Sequence, residues 1–127
     1  GGPEASAGDG SGSSRGTPAR VVRGEARPTL VAARGIQIED LAVGSSQLQP
    51  QLFVLAPGAT SAGAYDHAGE EFLFVLAGRL VVWLDERECH ELAPGDALTF
   101  ASSIPHRFVA LGRDETRVLW VNTPPTF

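Results

Sequence analysis

Three histidines are the residues of this chain most able to do chemistry, and two of them lie in informative contexts. His67 precedes Glu71 by four positions, in the stretch Tyr-Asp-His-Ala-Gly-Glu-Glu. On a straight strand four residues span about 13 Å, whereas the ligands of one metal ion must converge to roughly 2.0–2.2 Å from it. The pair can therefore share an ion only if the chain bends between them, and Gly69 is suited to such a bend because glycine accepts conformations that other residues avoid.

His106 is the second informative position. It follows a tight Pro-Gly-Asp turn at 94–96, a short apolar strand and a corner stiffened by proline. This order reverses the chain and can lay His106 beside His67 and Glu71. Two imidazoles and one carboxylate form the donor set of non-haem iron and similar divalent metal sites. A simpler alternative remains open, in which the histidines are hydrogen-bonded structural residues and Glu70-Glu71 is a solvated pair.

The elements that must position these residues are predicted to be short strands. Runs rich in β-forming residues alternate with turn residues, and no long helical pattern is present. One run, Ile36–Leu41, fits either a strand or a helical turn. Strands at this spacing predict an all-β sandwich or closed barrel. The predicted strands are Thr29–Ala33, Ile36–Leu41, Leu48–Leu55, Phe72–Leu76, Arg79–Leu84, Cys89–Leu92, Ala97–Phe100, His106–Ala110 and Arg117–Asn122.

The amino-terminal segment differs in composition from the rest of the chain. Residues 1–18 consist largely of Gly, Ser, Ala and Pro, which offer too little apolar surface to offset the entropy of ordering. Residues 1–28 are therefore predicted to be a flexible tail or linker, and residues 29–127 a single domain.

The predicted strand Phe72–Leu76, Phe-Leu-Phe-Val-Leu, is apolar on both faces. Strand side chains alternate between the two faces of a sheet, so both faces need cover. Glu71, Leu73 and Val75 share one face, which can look into a barrel. The other face must pack on a second sheet or a second subunit, which predicts a homodimer.

Charge and composition limit the partners of the chain. Residues 29–127 carry six arginines against twelve carboxylates, a formal charge of −6, which is a poor match for a phosphate backbone. We therefore expect no nucleic-acid binding by this chain alone. No apolar run is long enough for a membrane helix, and no secretory signal is visible. The single cysteine, Cys89, cannot form an internal disulfide, which favours a cytoplasmic location.

Two separated stretches together resemble the two motifs of the cupin superfamily. His67-Ala-Gly-Glu-Glu71-Phe-Leu-Phe-Val-Leu-Ala-Gly78 is similar to the first motif, and Gly95-Asp96 through His106 is similar to the second. The segment around His106 and the ending from Val121 onward are similar to the cupin domains that follow helix-turn-helix heads in bacterial regulators.

The resemblance implies a fold and a site. The fold is a double-stranded β-helix, the jelly-roll barrel of cupins. The implied metal ligands are His67, Glu71 and His106, holding a divalent ion such as Fe, Mn, Zn or Ni. Where the fuller cupin pattern has another histidine this chain has Tyr65, a candidate fourth ligand or pocket residue. Neutral tyrosine is a weak ligand, so a water in that position is the alternative.

The preferred function is binding rather than catalysis. The chain is expected to hold a small-molecule ligand, with or without a divalent metal, as the sensor domain of a transcriptional regulator whose DNA-binding head is not in this sequence. The alternatives are a small metal-dependent cupin enzyme (an oxygenase, isomerase or lyase) and a cupin with a structural or storage role. The third histidine, His90, is expected to be a surface or structural residue. Four aromatic residues are expected to lie mostly in the core: Trp83, Phe100, Phe108 and Trp120.

Overall fold

The computed structural model of the chain describes residues 18–63 and 68–125. Those residues form ten strands joined by turns and loops, and none of them forms a helix long and apolar enough to cross a membrane. The strands are β1 Thr29–Ala33, β2 Ile36–Asp40, β3 Gln49–Leu55, β4 Thr60–Gly63, β5 Glu70–Ala77, β6 Arg79–Leu84, β7 Glu88–Leu92, β8 Ala97–Ala101, β9 His106–Leu111 and β10 Thr116–Thr123.

The strands form two antiparallel sheets. The larger has the order β1-β2-β3-β10-β5-β8, and the smaller has the order β4-β9-β6-β7. Side chains from both sheets join one apolar cluster, in which Leu55 and Leu73 of the larger sheet and Leu80 and Val82 of the smaller are fully buried. Burial of this shared core accounts for most of the stability of such a domain. The arrangement confirms the predicted all-β jelly-roll fold.

The nine strands predicted from the sequence are confirmed, with ends that differ by at most two residues. The ambiguous run at 36–41 is a strand because Ile36 pairs with Leu55 of β3 and packs in the core. One strand was not predicted. The sequence of β4, Thr-Ser-Ala-Gly, contains only one strong β-forming residue. It is a strand because it pairs with β9, and the Thr60 hydroxyl donates to the carbonyl of Phe108 at 2.8 Å.

The hairpin between β5 and β6 turns at Gly78, which has a φ of +81°. A Cβ at this position would overlap the side chain of Thr116 and lie 2.6 Å from its Cα, so only glycine lets β10 approach this closely. The Thr116 hydroxyl lies 3.2 Å from both the amide nitrogen and the carbonyl oxygen of Arg79. The start of β10 is thereby fixed against the hairpin that follows β5.

The segment before β1 is attached to the larger sheet. Arg27 Nη1 lies 2.9 Å from Glu39 Oε1 on β2, and the amide of Asp40 donates to the carbonyl of Pro28 at 2.8 Å. The hydrogen bond from Arg27 holds the pKa of the Glu39 carboxyl below its usual value, with a further hydrogen bond from Gln37 acting in the same direction. Residues 1–17 lie outside the described part of the chain, so the predicted boundary between a tail of 1–28 and a domain of 29–127 stays a prediction.

Candidate functional site

A glycine bend at the start of β5 positions the first functional carboxylate. Gly69 has a φ of +120°, and a Cβ there would overlap the carbonyl oxygen of Thr123 and lie 2.8 Å from Pro124 Cδ. Its own carbonyl accepts a hydrogen bond from the amide of Ser102 at 3.0 Å. The bend expected at Gly69 is therefore confirmed, and it ties the start of β5 to the end of β10 and to the β8–β9 corner.

Glu71 is the second residue of β5 and points into the barrel, where only 3% of it is exposed. It shares the inner face with Leu73 and Val75, as the strand alternation predicts. The indole Nε1 of Trp120, on the neighbouring β10, donates to Glu71 Oε1 at 2.7 Å. A buried carboxylate is costly unless donors or a cation compensate it, and the indole N–H supplies one such donor.

His106 is the first residue of β9 and is also buried, with 8% of it exposed. Its Nδ1 lies 2.8 Å from the carbonyl oxygen of Ile104. Because a carbonyl oxygen only accepts, this contact requires the proton on Nδ1. The neutral ring therefore carries a lone pair on Nε2, which lies 3.6 Å from Glu71 Oε2.

The contact between His106 Nε2 and Glu71 Oε2 brings two acceptors together. Attraction between them requires something positive: either a proton on Nε2, which makes an imidazolium–carboxylate pair, or a cation or hydrogen-bond donor that both atoms contact. A histidine whose Nδ1–H is fixed by a carbonyl and whose Nε2 is presented to a carboxylate has the orientation usual for metal-binding imidazoles. Glu71 and His106 therefore fit a divalent cation.

Aromatic rings surround this pair. Phe53 and Trp120 are stacked, with ring centroids 4.7 Å apart and planes 25° apart. The Phe108 ring meets Trp120 edge-on at 5.5 Å, and the Phe100 ring lies 5.0 Å from that of His106. Electrostatic interactions are strong in such an apolar environment. The expectation of a core position is confirmed for Phe100, Phe108 and Trp120.

The fourth aromatic residue predicted for the core, Trp83, lies elsewhere. It is half-buried, and the guanidinium of Arg107 lies 4.8 Å above its ring. Glu86 also binds that guanidinium, with its Oε2 2.7 Å from Arg107 Nε. Trp83 is the exception among the four because β6 directs this side chain to the outer face of the smaller sheet.

No arginine is buried in the described part of the chain, so the carboxylate of Glu71 has no guanidinium partner there. The arginine ion pairs instead lie away from Glu71, most of them at the surface. They are Arg27–Glu39, Arg79–Glu91, Arg87–Asp85, Arg107–Glu86 and Arg117–Glu115. Hydrogen bonding to Arg107 lowers the pKa of the Glu86 carboxyl, and hydrogen bonding to Glu86 raises the pKa of the Arg107 guanidinium.

Two of the predicted site residues are brought together and two lie outside the described residues. Glu71 and His106 converge, whereas His67 and Tyr65 belong to the segment 64–67. Within the described ranges no group of three His, Cys, Asp or Glu side chains is placed to hold a metal ion. The described backbone on both sides of that segment reaches the site: Gly63 pairs with His106, and Gly69 bonds to Ser102.

The remaining histidine and the cysteine lie away from this pair. His90 is on the edge strand β7, its side chain is 39% exposed, and its Nε2 lies 3.4 Å from Glu88 Oε2. This agrees with a surface role. Cys89, also on β7, is exposed and forms no disulfide.

Comparisons with known proteins agree with this fold. A family model described as "Cupin domain" matches residues 51–122. The HTH-type transcriptional regulator PuuR of Escherichia coli (strain K12) is 32% identical over 71 residues, which are 56% of this chain and 38% of that protein. The chain thus spans less than two fifths of the length of this curated relative.

Three solved structures are similar in fold. The Cupin_2 domain of an XRE family transcriptional regulator from Enterobacter cloacae has a TM-score of 0.66 at 22% identity, covering 72% of this chain and 99% of that one. Hydroxypropylphosphonic acid epoxidase from S. wedmorenis has a TM-score of 0.71 at 23% identity, covering 82% and 59%. A structure described as FeII HppE has a TM-score of 0.72 at 22% identity, covering 82% and 60%.

Replacing Trp120 with phenylalanine tests whether the indole stabilises the buried carboxylate. Trp120→Phe keeps a ring against Phe53 but removes the N–H that Glu71 Oε1 accepts, so we expect a loss of about 1–3 kcal/mol in the free energy of unfolding, measured by chemical denaturation. The control is Trp83→Phe on the outer face, where a change within about 0.5 kcal/mol is expected. Equal losses in the two variants would contradict the assigned role of the indole.

Proposed function

This chain belongs to the cupin family, and on that basis we propose that it is a small-ligand-binding domain, the sensor part of a transcriptional regulator whose DNA-binding head is outside this sequence. The observation that carries the proposal is the buried pair Glu71 and His106, whose acceptor atoms face each other at 3.6 Å inside an aromatic wall. Such a pair favours a bound cation or donor-bearing molecule. The sequence match to the regulator PuuR covers 71 residues and supports the regulatory context.

The pair is proposed to bind a divalent metal, with Fe, Mn, Zn and Ni as candidates. Glu71 would supply a carboxylate oxygen and His106 its Nε2, with His67 as the third ligand and Tyr65 as a candidate fourth. A bound ion would supply Lewis acidity that holds an oxygen or nitrogen atom of the ligand. The chain's own residues orient the donors and shield them from water. The carbonyl of Ile104 fixes the orientation of the imidazole through Nδ1, and the aromatic rings exclude water.

A metal-dependent enzyme is the second candidate. The donor set of two histidines and one carboxylate also serves non-haem iron oxygenases. One similar fold is that of an epoxidase, and another is described as FeII HppE. The regulator is preferred because its support includes a sequence match and not fold alone. Turnover of a bound compound by the purified chain would favour the enzyme.

Nucleic-acid binding by this chain alone is not proposed, and a cytoplasmic location is proposed with the regulatory role. Residues 29–127 carry a formal charge of −6, and five of the nine described arginines contact carboxylates, so the chain is a poor electrostatic match for a phosphate backbone. Sequence-specific contact with DNA is therefore assigned to the rest of the parent protein.

A homodimer is proposed through the outer face of the larger sheet. Phe72 is 36% exposed and Leu76 is 50% exposed, and both lie on the outward side of β5. Apolar residues continue this surface across the register, with Val121 beside Phe72 and Leu119 beside Phe74. An exposed apolar surface of this kind favours association with a second copy, and a two-fold axis allows the same surface to serve both subunits.

The metal proposal predicts that His106→Ala lowers the metal content of the purified protein sharply, because it removes one of the converging donors. Elemental analysis after purification without added metal, and again after loading and desalting, provides the measurement. His90→Ala is the matched control, since His90 is exposed on β7, and it should retain the native metal content. Equal metal content in the native, His106→Ala and His90→Ala proteins would refute a metal at this pair.

The dimer proposal predicts a sedimentation coefficient of a two-subunit species at micromolar concentration. Phe72→Glu places a charge in the proposed interface and should shift the protein to monomer, while Val109→Glu, on the outer side of β9 in the smaller sheet, should leave it dimeric. A monomeric native protein at these concentrations would exclude the dimer.

A further inference from the structure

A polar row crosses the inner face of the larger sheet at the level of Glu71. Asn122 on β10 pairs in register with Glu71 on β5 and, on its other side, with Gln49 on β3. Directly paired residues of antiparallel strands have Cβ atoms about 4.5–5.5 Å apart on the same face. Asn122 is therefore the nearest polar neighbour of Glu71 along this row, on the side away from the edge strand β8.

The amide of Asn122 is unusual in its hydrogen bonding. Its Oδ1 is buried and has no hydrogen-bond partner among the described residues, and its Nδ2 makes only a long contact of 3.5 Å to Gln49 Oε1. Leaving a buried carbonyl-type acceptor unsatisfied costs stability, so such groups are rare and call for an explanation. A structural role for Asn122 does not account for the unsatisfied oxygen.

The charge of the surroundings limits what can satisfy this oxygen. Glu71 Oε1 already accepts a hydrogen bond from Trp120, and no arginine is buried in the described ranges, so neither provides a donor for Asn122 Oδ1. A ligand that reaches from the Glu71–His106 pair to the next strand would provide one. It needs a hydroxyl or amine group about 5 Å from the group held by that pair.

We propose that Asn122 is a specificity-determining residue, whose Oδ1 accepts a hydrogen bond from a hydroxyl or amine of the ligand while Glu71 and His106 hold a neighbouring group. The ligand class is a small molecule with two donor groups about 5 Å apart on a compact apolar frame, which the Phe53 and Trp120 rings can contact. Molecules that offer only acceptors at the second position are rejected, because an acceptor would face Oδ1. This assignment rests on the binding function proposed above.

The test compares two probes with the same ring, cyclohexane-1,3-diol, whose oxygens donate, and 1,3-dimethoxycyclohexane, whose oxygens only accept. Because the diether also carries two methyl groups, the effect of Asn122→Leu on the preference decides the assignment. Calorimetric or nuclear magnetic resonance titration of the full chain should show the diol binding about tenfold more tightly than the diether. In Asn122→Leu, which is similar in size and apolar, this preference should fall to less than about threefold. Gln47→Leu, an amide substitution at an exposed loop position, should keep the native preference.

Thermal denaturation without ligand provides the second readout. Removing an unsatisfied buried acceptor should raise the midpoint of Asn122→Leu by about 4 °C, as expected when a residue serves binding at a cost in stability. An unchanged preference for the diol in Asn122→Leu overturns the proposal, as does a native protein that does not prefer the diol. If the diol also fails to bind, and the metal content is independent of His106, the proposed binding function is contradicted as well. If binding of the diol needs His106 but not Asn122, only the role proposed for Asn122 is contradicted.

Discussion

The burial of one carboxylate is the constraint on which the rest of the site depends. Glu71 is almost completely enclosed, and the described part of the chain offers it an indole N–H and an imidazole rather than a guanidinium. A carboxylate in an apolar core is unfavourable by several kcal/mol unless hydrogen-bond donors or a cation compensate it. The neighbouring strands must therefore place such groups beside Glu71. β10 carries Trp120 and β9 carries His106, and the bend at Gly69 positions the carboxylate of Glu71 between them.

The central position of β10 makes this arrangement possible. It lies between β3 and β5, so its inner residues touch the two strands that carry Gln49 and Glu71. The start of β10 is fixed by the contact of Thr116 with Gly78, and its end by the contact of Thr123 with Gly69. Because both ends of β10 are fixed, its register against β3 and β5 is set, and Trp120 and Asn122 lie beside Glu71.

Much of the fold, and the positions of Glu71 and His106 in the site, could be predicted from patterns within short stretches of the sequence. Alternation of apolar residues placed Glu71 on the inner face with Leu73, and a glycine marked the bend before it. The four-residue strand β4 was missed because its strand character comes from pairing with β9, not from its own residues. The Trp120 bond to Glu71 joins residues 49 positions apart, and the Asn122 contact to Gln49 joins residues 73 apart. Such pairs depend on the strand order of the sheet, which local patterns do not reveal.

The central claim is that the facing acceptors of Glu71 and His106 form a cation site. Anomalous X-ray diffraction from crystals of the manganese- or zinc-loaded protein tests this most directly, because it locates the ion without assumptions about ligands. One dominant anomalous peak is expected, bound by Glu71 and by His106 through Nε2. A dominant peak at a surface position such as His90 and Glu88, with none between Glu71 and His106, would contradict it.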